Sequence, residues 1–176
     1  MKHLKSLFSI ALILIAAHTF AQTDAQTTSR IVQDKQYTFV ANSAMPLSNN
    51  DVSAILNRMP GSMGGSVINL TGQQYDLKVT KDSLVAYLPF YGRAFNAPYN
   101  PSEGGIKFTS KDFTYKESKN KKGTYTIQMN TKDLKRENYM LTLTITTTGY
   151  ATLTASSVNK QAIFFNGYLD EPAKKD

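Results

Sequence analysis

The stretch YMLTLTITTTGYATLTAS, residues 139–156, decides the fold. Apolar side chains stand at alternate positions, and threonine or serine occupies most of the positions between them. This two-residue period is typical of a β-strand with one buried and one solvated face, and threonine suits such a surface because its Cβ is branched. Thr148-Gly149 in the middle predicts a tight turn, so the stretch indicates two neighbouring antiparallel strands.

The same alternation recurs upstream, with apolar positions at Tyr75, Leu77, Val79, Tyr125, Ile127 and Met129. Further turns are predicted at Lys81-Asp82, Asn120 to Gly123 and Val158-Asn159. We therefore expect a mainly β protein, with residues 35–170 forming a single antiparallel β-sandwich or flattened β-barrel of about eight to nine strands. It contains at most one short helix, for which Asn50 to Met59 is the candidate because its apolar residues share one face.

Two stretches depart from simple alternation. Residues 84–88 and 163–165 are apolar on both faces, which indicates a central strand or a strand covered by another segment or a ligand. In residues 106–115 the apolar side chains change from even positions to odd ones. A bulge or kink near Ser110 to Asp112 would return them to a common face.

The N-terminus has the pattern of a cleavable secretory signal peptide, residues 1–21. Two lysines precede a predominantly apolar run of 11 residues, Leu7 to Ala17, which is shorter than the about 20 that a membrane-spanning helix needs. We expect an exported protein of the periplasm or cell envelope, or a secreted one, that starts near Gln22. A polar N-terminal segment, residues 22–34, and a polar tail, residues 171–176, flank the domain. The alternative is that residues 1–21 stay as a membrane anchor or fold as a core helix.

The composition restricts the chemistry of the mature chain. Removal of residues 1–21 from the 176-residue chain leaves 155 residues without His3 and His18, the only histidines, and the chain has no Cys or Trp. Ser-His-Asp triads, Cys-His pairs and the usual zinc sites are therefore excluded, and no Asp-rich calcium loop is present. We expect no metal, no cofactor and no enzymatic activity. A glycosidase using Glu103 and Asp112 is a distant alternative.

The net charge is +7, and loss of Lys2 and Lys5 reduces it to +5. We expect no nucleic-acid partner for an exported protein of this modest charge. The basic residues at positions 116–122 are interrupted by Glu117, which favours a solvated hairpin tip over a patch for anionic lipid or polysaccharide.

An aromatic loop, residues 88–105, contains three prolines, three glycines and four aromatic residues. The prolines fix the backbone and the rings supply contact area, so we interpret the loop as the mouth of a binding site for a small apolar or glycan ligand. The candidate ligand-binding residues are Tyr87, Tyr91, Arg93, Phe95, Tyr99 and Glu103. Two alternatives are that these aromatics plug one end of the fold, or that they dock on an envelope partner without a small ligand.

Several motifs together resemble one family: Tyr37 to Ala41 with Pro46, Tyr75 to Val79, Leu88 to Arg93, Gly104 to Phe108, Gly149 to Leu153, and Gln161 to Gly167. On these residues the chain resembles the domain of unknown function 4251 family, exported proteins of Bacteroidetes bacteria, over about Tyr37 to Leu169. The resemblance implies export and a β fold and carries no established activity. It leads us to expect a tryptophan after Gly123 and an arginine before Gln161, where this chain has Tyr125 and Lys160.

The same resemblance gives meaning to Asp82-Ser83-Leu84. This triplet looks like the O-glycosylation signal of exported Bacteroidetes proteins, which makes Ser83 a candidate modification site. The alternative is that Ser83 merely leaves a turn.

Overall fold

The computed structural model describes residues 24–47, 67–96 and 104–171. The helix predicted at Asn50 to Met59 therefore lies outside the described residues. The elements are α1 (Ala25–Asp34), β1 (Tyr37–Pro46), β2 (Ile68–Asn69), β3 (Asp76–Val79), β4 (Leu84–Leu88), β5 (Ile106–Ser110), β6 (Phe113–Lys119), β7 (Tyr125–Thr131), β8 (Tyr139–Ile145), β9 (Tyr150–Ser157) and β10 (Ile163–Asp170).

The strands form one antiparallel sheet that curls into a nearly closed barrel. Nine of them follow the order β5-β4-β3-β1-β10-β9-β8-β7-β6, and β2 pairs with β1. The predicted mainly β fold is confirmed, in its barrel form, and the predicted turns join β3 to β4, β6 to β7, β8 to β9 and β9 to β10. Strand β10 lies at the middle of the sheet, as its two apolar faces predict. Strand β4 pairs with β3 and β5, and its outward-facing Tyr87 is 46% exposed, so cover of that face by a ligand stays a prediction.

The segment from Ile106 to Lys119 closes the barrel. All neighbouring strands are antiparallel, and β5 and β6 are eight steps apart in the sheet order, so they run in the same direction. They are therefore the two halves of one kinked strand, of which the first half pairs with β4 and the second with β7. The kink at Lys111-Asp112 confirms the predicted break in alternation.

The carboxylate of Asp133, in the loop after β7, holds this kink. It accepts hydrogen bonds from the Ser110 hydroxyl at 2.5 Å, the Lys111 amide at 2.8 Å and the Asp112 amide at 3.2 Å. The Lys132 amide donates to the Asp112 carbonyl at 2.9 Å. At the kink the regular backbone hydrogen bonds between strands are interrupted, and the Asp133 side chain joins the two sides of the barrel there.

Side chains at alternate positions of β7, β8, β9 and β10, and of most of β1, fill the barrel, with Phe39, Leu143 and Phe165 fully buried. A one-residue register shift between Ala41 and Ser43 bends β1. At Gly167 of the neighbouring β10, an added Cβ would lie 1.8 Å from the Val40 carbonyl oxygen, so only glycine fits there.

Helix α1 lies at one end of the barrel, in the segment for which the sequence predicts only polar character. Asp24 caps its start by accepting a 2.7 Å hydrogen bond from the Thr27 amide, and Lys35 ends it in a left-handed conformation. Its buried residues are Thr28, Ile31 and Val32. In the three described ranges, no helix has the length and apolar character needed to cross a membrane.

We predict that Asp133→Asn destabilises the barrel in a pH-dependent way. The hydrogen bond from Ser110, together with those from the Lys111 and Asp112 amides, lowers the pKa of Asp133 to about 2. A lowered folded-state pKa means that the carboxylate stabilises the fold above its ordinary pKa of 3.8, and that this contribution is lost as the pH falls towards 2.

The measurement is urea denaturation at several pH values from 7 to 2, with Asp112→Asn as the control. Asp133→Asn should lower the free energy of unfolding at pH 7 and flatten its fall below pH 4. If the free energy of unfolding depends on pH in the same way for Asp133→Asn and Asp112→Asn, the Asp133 carboxylate does not stabilise the kink.

We also predict that Ile31→Ala lowers the free energy of unfolding by about 2–5 kcal/mol, the range for removing a buried isoleucine side chain. The matched control is Arg30→Ala, which removes an exposed ion pair with Glu171 and should cost less than about 1 kcal/mol. Chemical denaturation of both variants checks the prediction. Equal effects would mean that α1 is not part of the core.

Candidate functional site

A pocket of about 440 Å³ opens at the seam of the barrel, beside β5. The loop between β7 and β8 forms the wall opposite β5, and the start of β8 and the turn between β9 and β10 complete the pocket. The described residues that line it are Gly105, Lys107, Phe108, Thr109, Leu134, Lys135, Arg136, Glu137, Tyr139 and Lys160. Its volume lies in the range of about 300–1,000 Å³ that is usual for small-molecule sites.

A buried ion pair lies at the base of this pocket. Lys160 donates to Glu137 Oε1, and the two side chains are only 12% and 10% exposed. Tyr139 donates to the same oxygen, and Ser157 donates to Oε2 at 2.8 Å. Lys160 also lies 3.1 Å from the Tyr139 hydroxyl. We call these four residues the ion-pair cluster.

The tight turn after β9 places Lys160 in this cluster. The Ser157 hydroxyl accepts hydrogen bonds from the amides of Asn159 at 3.2 Å and Lys160 at 3.0 Å. The Lys160 ammonium lies 6.0 Å from the ring centroid of Phe90, so the aromatic loop contributes one side of its environment. Phe108 stacks on Tyr139 with 5.1 Å between ring centroids, which fixes the tyrosine against β5.

The pKa directions show which groups carry charge. Burial acts to raise the pKa of Glu137, but the hydrogen bonds from Lys160, Tyr139 and Ser157 outweigh it and hold that pKa below its ordinary value. Burial and the adjacent Glu137 carboxylate both raise the pKa of Tyr139. At neutral pH Glu137 is therefore a carboxylate and Tyr139 a neutral phenol.

A tyrosine patch lies on the outside of the barrel next to the pocket, and Lys107 belongs to both. Tyr75 and Tyr87 stack with 5.8 Å between ring centroids, and the Lys107 ammonium lies 4.9 Å from the Tyr87 ring centroid. Burial raises the pKa of Tyr91, and the nearby Tyr75 adds to the shift. Tyr75, Tyr87, Tyr91 and Lys107 thus form one continuous surface beside the pocket mouth.

The candidate ligand-binding residues fall into three groups. Tyr87 and Tyr91 belong to the tyrosine patch, outside the set of side chains that line the pocket. Arg93 and Phe95 lie exposed on the segment that pairs with the turn after β9, where Arg93 accepts from the Gln161 amide at 3.1 Å and Phe95 donates to Asn159 at 2.8 Å through backbone groups. Tyr99 and Glu103 lie outside the described residues. The assignment of these six residues to ligand binding stays a prediction.

Different parts of the aromatic loop fit different interpretations of it. Phe90 and Tyr91 pack against the hydrophobic core, as expected for residues that plug a barrel end. Phe95 is 66% exposed and remains accessible to a partner or ligand. The loop therefore both finishes the core and presents an aromatic side chain to solvent.

Ser83 follows the turn between β3 and β4. Its hydroxyl lies 2.9 Å from the Thr80 hydroxyl, and its amide donates to the same oxygen at 2.9 Å. This geometry fits the alternative that Ser83 only ends the turn. O-glycosylation of Ser83 stays a prediction.

Sequence reasoning missed the ion-pair cluster. Glu137 and Lys160 are separated by 23 positions in the chain, and each stands alone in a polar loop. The one signal at Lys160 was its place in the family-like motif, where arginine is expected. Among the described residues, no group of three or more His, Cys, Asp or Glu side chains is arranged to hold a metal ion.

Comparisons with known proteins bear on the fold and the family. A family model described as Domain of unknown function (DUF4251) matches residues 20–169. The chain is similar to a DUF4251 family protein from Bacteroides eggerthii DSM 20697, solved by crystallography at 1.95 Å, with a TM-score of 0.55 and 17% identity, over 84% of this chain and 87% of that one. At this identity the structural likeness supports the fold alone. No curated protein matches the chain.

We predict that Lys160→Met lowers the free energy of unfolding by about 3 kcal/mol, because it leaves the Glu137 carboxylate buried without a counter-charge. Adding Glu137→Gln to this variant should restore part of the loss. The control is Lys132→Met, whose partner Asp112 is 3.9 Å away in an exposed pair, and which should cost less than about 1 kcal/mol. Equal denaturation midpoints for Lys160→Met and Lys132→Met would mean that Lys160 does not compensate the charge of Glu137.

Proposed function

This chain belongs to the DUF4251 family, and we propose that it is an exported, non-catalytic binding module that holds a small glycan in the seam pocket. The observation that carries the proposal is the combination of a pocket of about 440 Å³ with a buried ion pair at its base. Such concave sites with a few fixed polar groups are the usual form of a small-molecule site.

The pocket lining favours a glycan over a purely apolar ligand. Phe108 and Leu134 offer apolar contact, whereas Glu137 and Lys160 offer charged hydrogen-bonding groups. An apolar ligand would cover the remaining exposed part of these charged groups and return no hydrogen bond. A sugar carries both apolar C–H faces and hydroxyl groups, so it satisfies both kinds of lining residue.

The neighbouring tyrosine patch extends the same preference beyond the pocket. Tyr87 is half exposed on a rigid strand, with Tyr75 stacked against it. Rings held in this way provide a flat contact surface at little cost in side-chain entropy. A glycan longer than the pocket could continue across Lys107 onto this patch.

A non-catalytic role is supported by the side chains available. Glu137 is the one carboxylate among the described lining residues, and its oxygens already accept three hydrogen bonds. Glycoside hydrolysis of the common kind needs two carboxyl groups flanking the bond. A carboxylate that is held by Lys160, Tyr139 and Ser157 is better placed to orient a ligand than to exchange protons.

Export is supported by the signal-peptide pattern of residues 1–21. The protein would then meet its ligand in the periplasm or at the cell envelope, where glycans are abundant.

A second candidate function is docking on an envelope protein. Phe95 is 66% exposed and Val158 is 81% exposed, and the Phe95 amide donates to Asn159, the neighbour of Val158. Two exposed apolar side chains on adjoining loops at the barrel mouth offer a contact surface for a protein. This function needs no occupied pocket, which separates it from the first.

We predict that the mature protein binds members of an array of bacterial and plant oligosaccharides through the seam pocket. Thr109→Trp places an indole in the pocket from an exposed position of β5 and should reduce binding by about tenfold or more, a loss of roughly 1.4 kcal/mol. The matched control is Gln128→Trp, at an exposed position of β7, which should bind as the parent does. If no oligosaccharide of the array binds, or if both variants bind equally well, the proposed function is wrong.

A further inference from the structure

The tyrosine patch begins one strand away from the seam pocket. Lys107 lines the pocket, and it stands opposite Tyr87 in the register of β5 and β4. Neighbouring strands of a sheet lie about 4.8 Å apart, and residues directly opposite each other point to the same face of the sheet. A ligand that fills the pocket and extends past Lys107 therefore meets Tyr87 next.

The side chains along this path alternate between charged and aromatic. Across the outer face of the sheet, Tyr87 lies between Lys107 of β5 and Asp76 of β3, and Asp76 is 3.5 Å from the Lys78 ammonium. A purely apolar ligand laid along this row would cover the charged groups without returning hydrogen bonds. A sugar carries C–H groups for the ring and hydroxyl groups for its charged neighbours, so it suits the row as well as the pocket.

We propose that the tyrosine patch is a second subsite of the seam pocket, and that the ligand is an oligosaccharide chain long enough to reach from the pocket to Tyr87. This inference rests on the proposed function and names its ligand class, a chain of several sugar units in place of a single sugar.

Tyr87 is held in position in the absence of a ligand. Its ring stacks on Tyr75 with 5.8 Å between centroids and 21° between the ring planes, and the Lys107 ammonium lies 4.9 Å from its centroid. About half of the Tyr87 side chain nevertheless remains exposed. Because its neighbours already restrict the ring, a sugar that covers the exposed part loses little binding free energy to ordering it.

The two subsites make different contributions to binding. The pocket encloses one end of the chain and offers it the ion-pair cluster, whereas the patch adds contact area for sugar units outside the pocket. A change in the pocket should therefore affect chains of every length. A change at Tyr87 should affect only those chains that are long enough to reach it.

The test measures the affinity of the mature protein for length series of oligosaccharides, each from the monosaccharide upwards. The probes are cello-, xylo-, manno- and chito-oligosaccharides, together with the length series of any other oligosaccharide that binds on the array. The affinity of the parent should rise with chain length and level off once the chain covers Tyr87. Tyr87→Ala should weaken binding of the longest chains by about fivefold and leave binding of the shortest ones unchanged.

Two further variants locate the effect. The matched control is Tyr150→Ala, which removes another half-exposed tyrosine on β9, four strands from β4 in the sheet order, and should bind every chain length as the parent does. Tyr87→Phe keeps the ring and should retain the rise in affinity with chain length. All three variants should keep the denaturation midpoint of the parent.

Three results would show that the patch is not a subsite and would leave glycan binding in the pocket standing. In the first, the affinity of the parent does not change with chain length. In the second, Tyr87→Ala weakens short and long chains equally, and in the third it has no more effect than Tyr150→Ala. If no oligosaccharide binds at all, the proposed function and this inference are both wrong.

Discussion

The barrel depends on the hydrogen bonds that the Asp133 carboxylate accepts at the kink, Lys111-Asp112. A sheet of nine strands that stays open has two edges with unpaired backbone groups, which invite pairing with other chains. Here one strand bends so that its halves pair with both ends of the sheet, and the carboxylate supplies the hydrogen bonds that the bend removes. Closure also fixes which alternate side chains face inward, because a shift of one residue would expose the core face.

The same closure creates the site. The closing strand pairs with β4 before its kink and with β7 only past it, so the loop after β7 faces the free side of β5 across a gap. That loop carries Asp133 at the kink and Glu137 four residues later, at the pocket base. Structural and functional residues thus share one short segment. The opposite end of the barrel is covered by α1, whose buried residues are Thr28, Ile31 and Val32.

Local patterns predicted the parts of this molecule that local patterns determine. Alternation of apolar and polar residues, Gly149 in a turn and the change of phase before Phe113 were enough for the strands, the hairpins and the kink. Helix α1 was not predicted, because only Thr28, Ile31 and Val32 face the core and three residues are too few to show a helical period of apolar side chains. The ion-pair cluster was not predicted, because Glu137 and Lys160 come together only through the register of the strands. The composition of neither loop indicates that its residue pairs with one in the other loop.

The central claim is that the seam pocket holds a glycan in the cell. Native mass spectrometry of the protein isolated from the periplasm of an exporting bacterium, followed by a denaturing run on the same sample, tests it most directly. The account predicts the mass of a chain cleaved near Gln22 plus an excess that disappears on denaturation and fragments into sugar masses. A bare polypeptide mass under native conditions, or a released ligand without sugar fragments, would contradict it. An excess that survives denaturation reports a covalent modification, for which Ser83→Ala is the check.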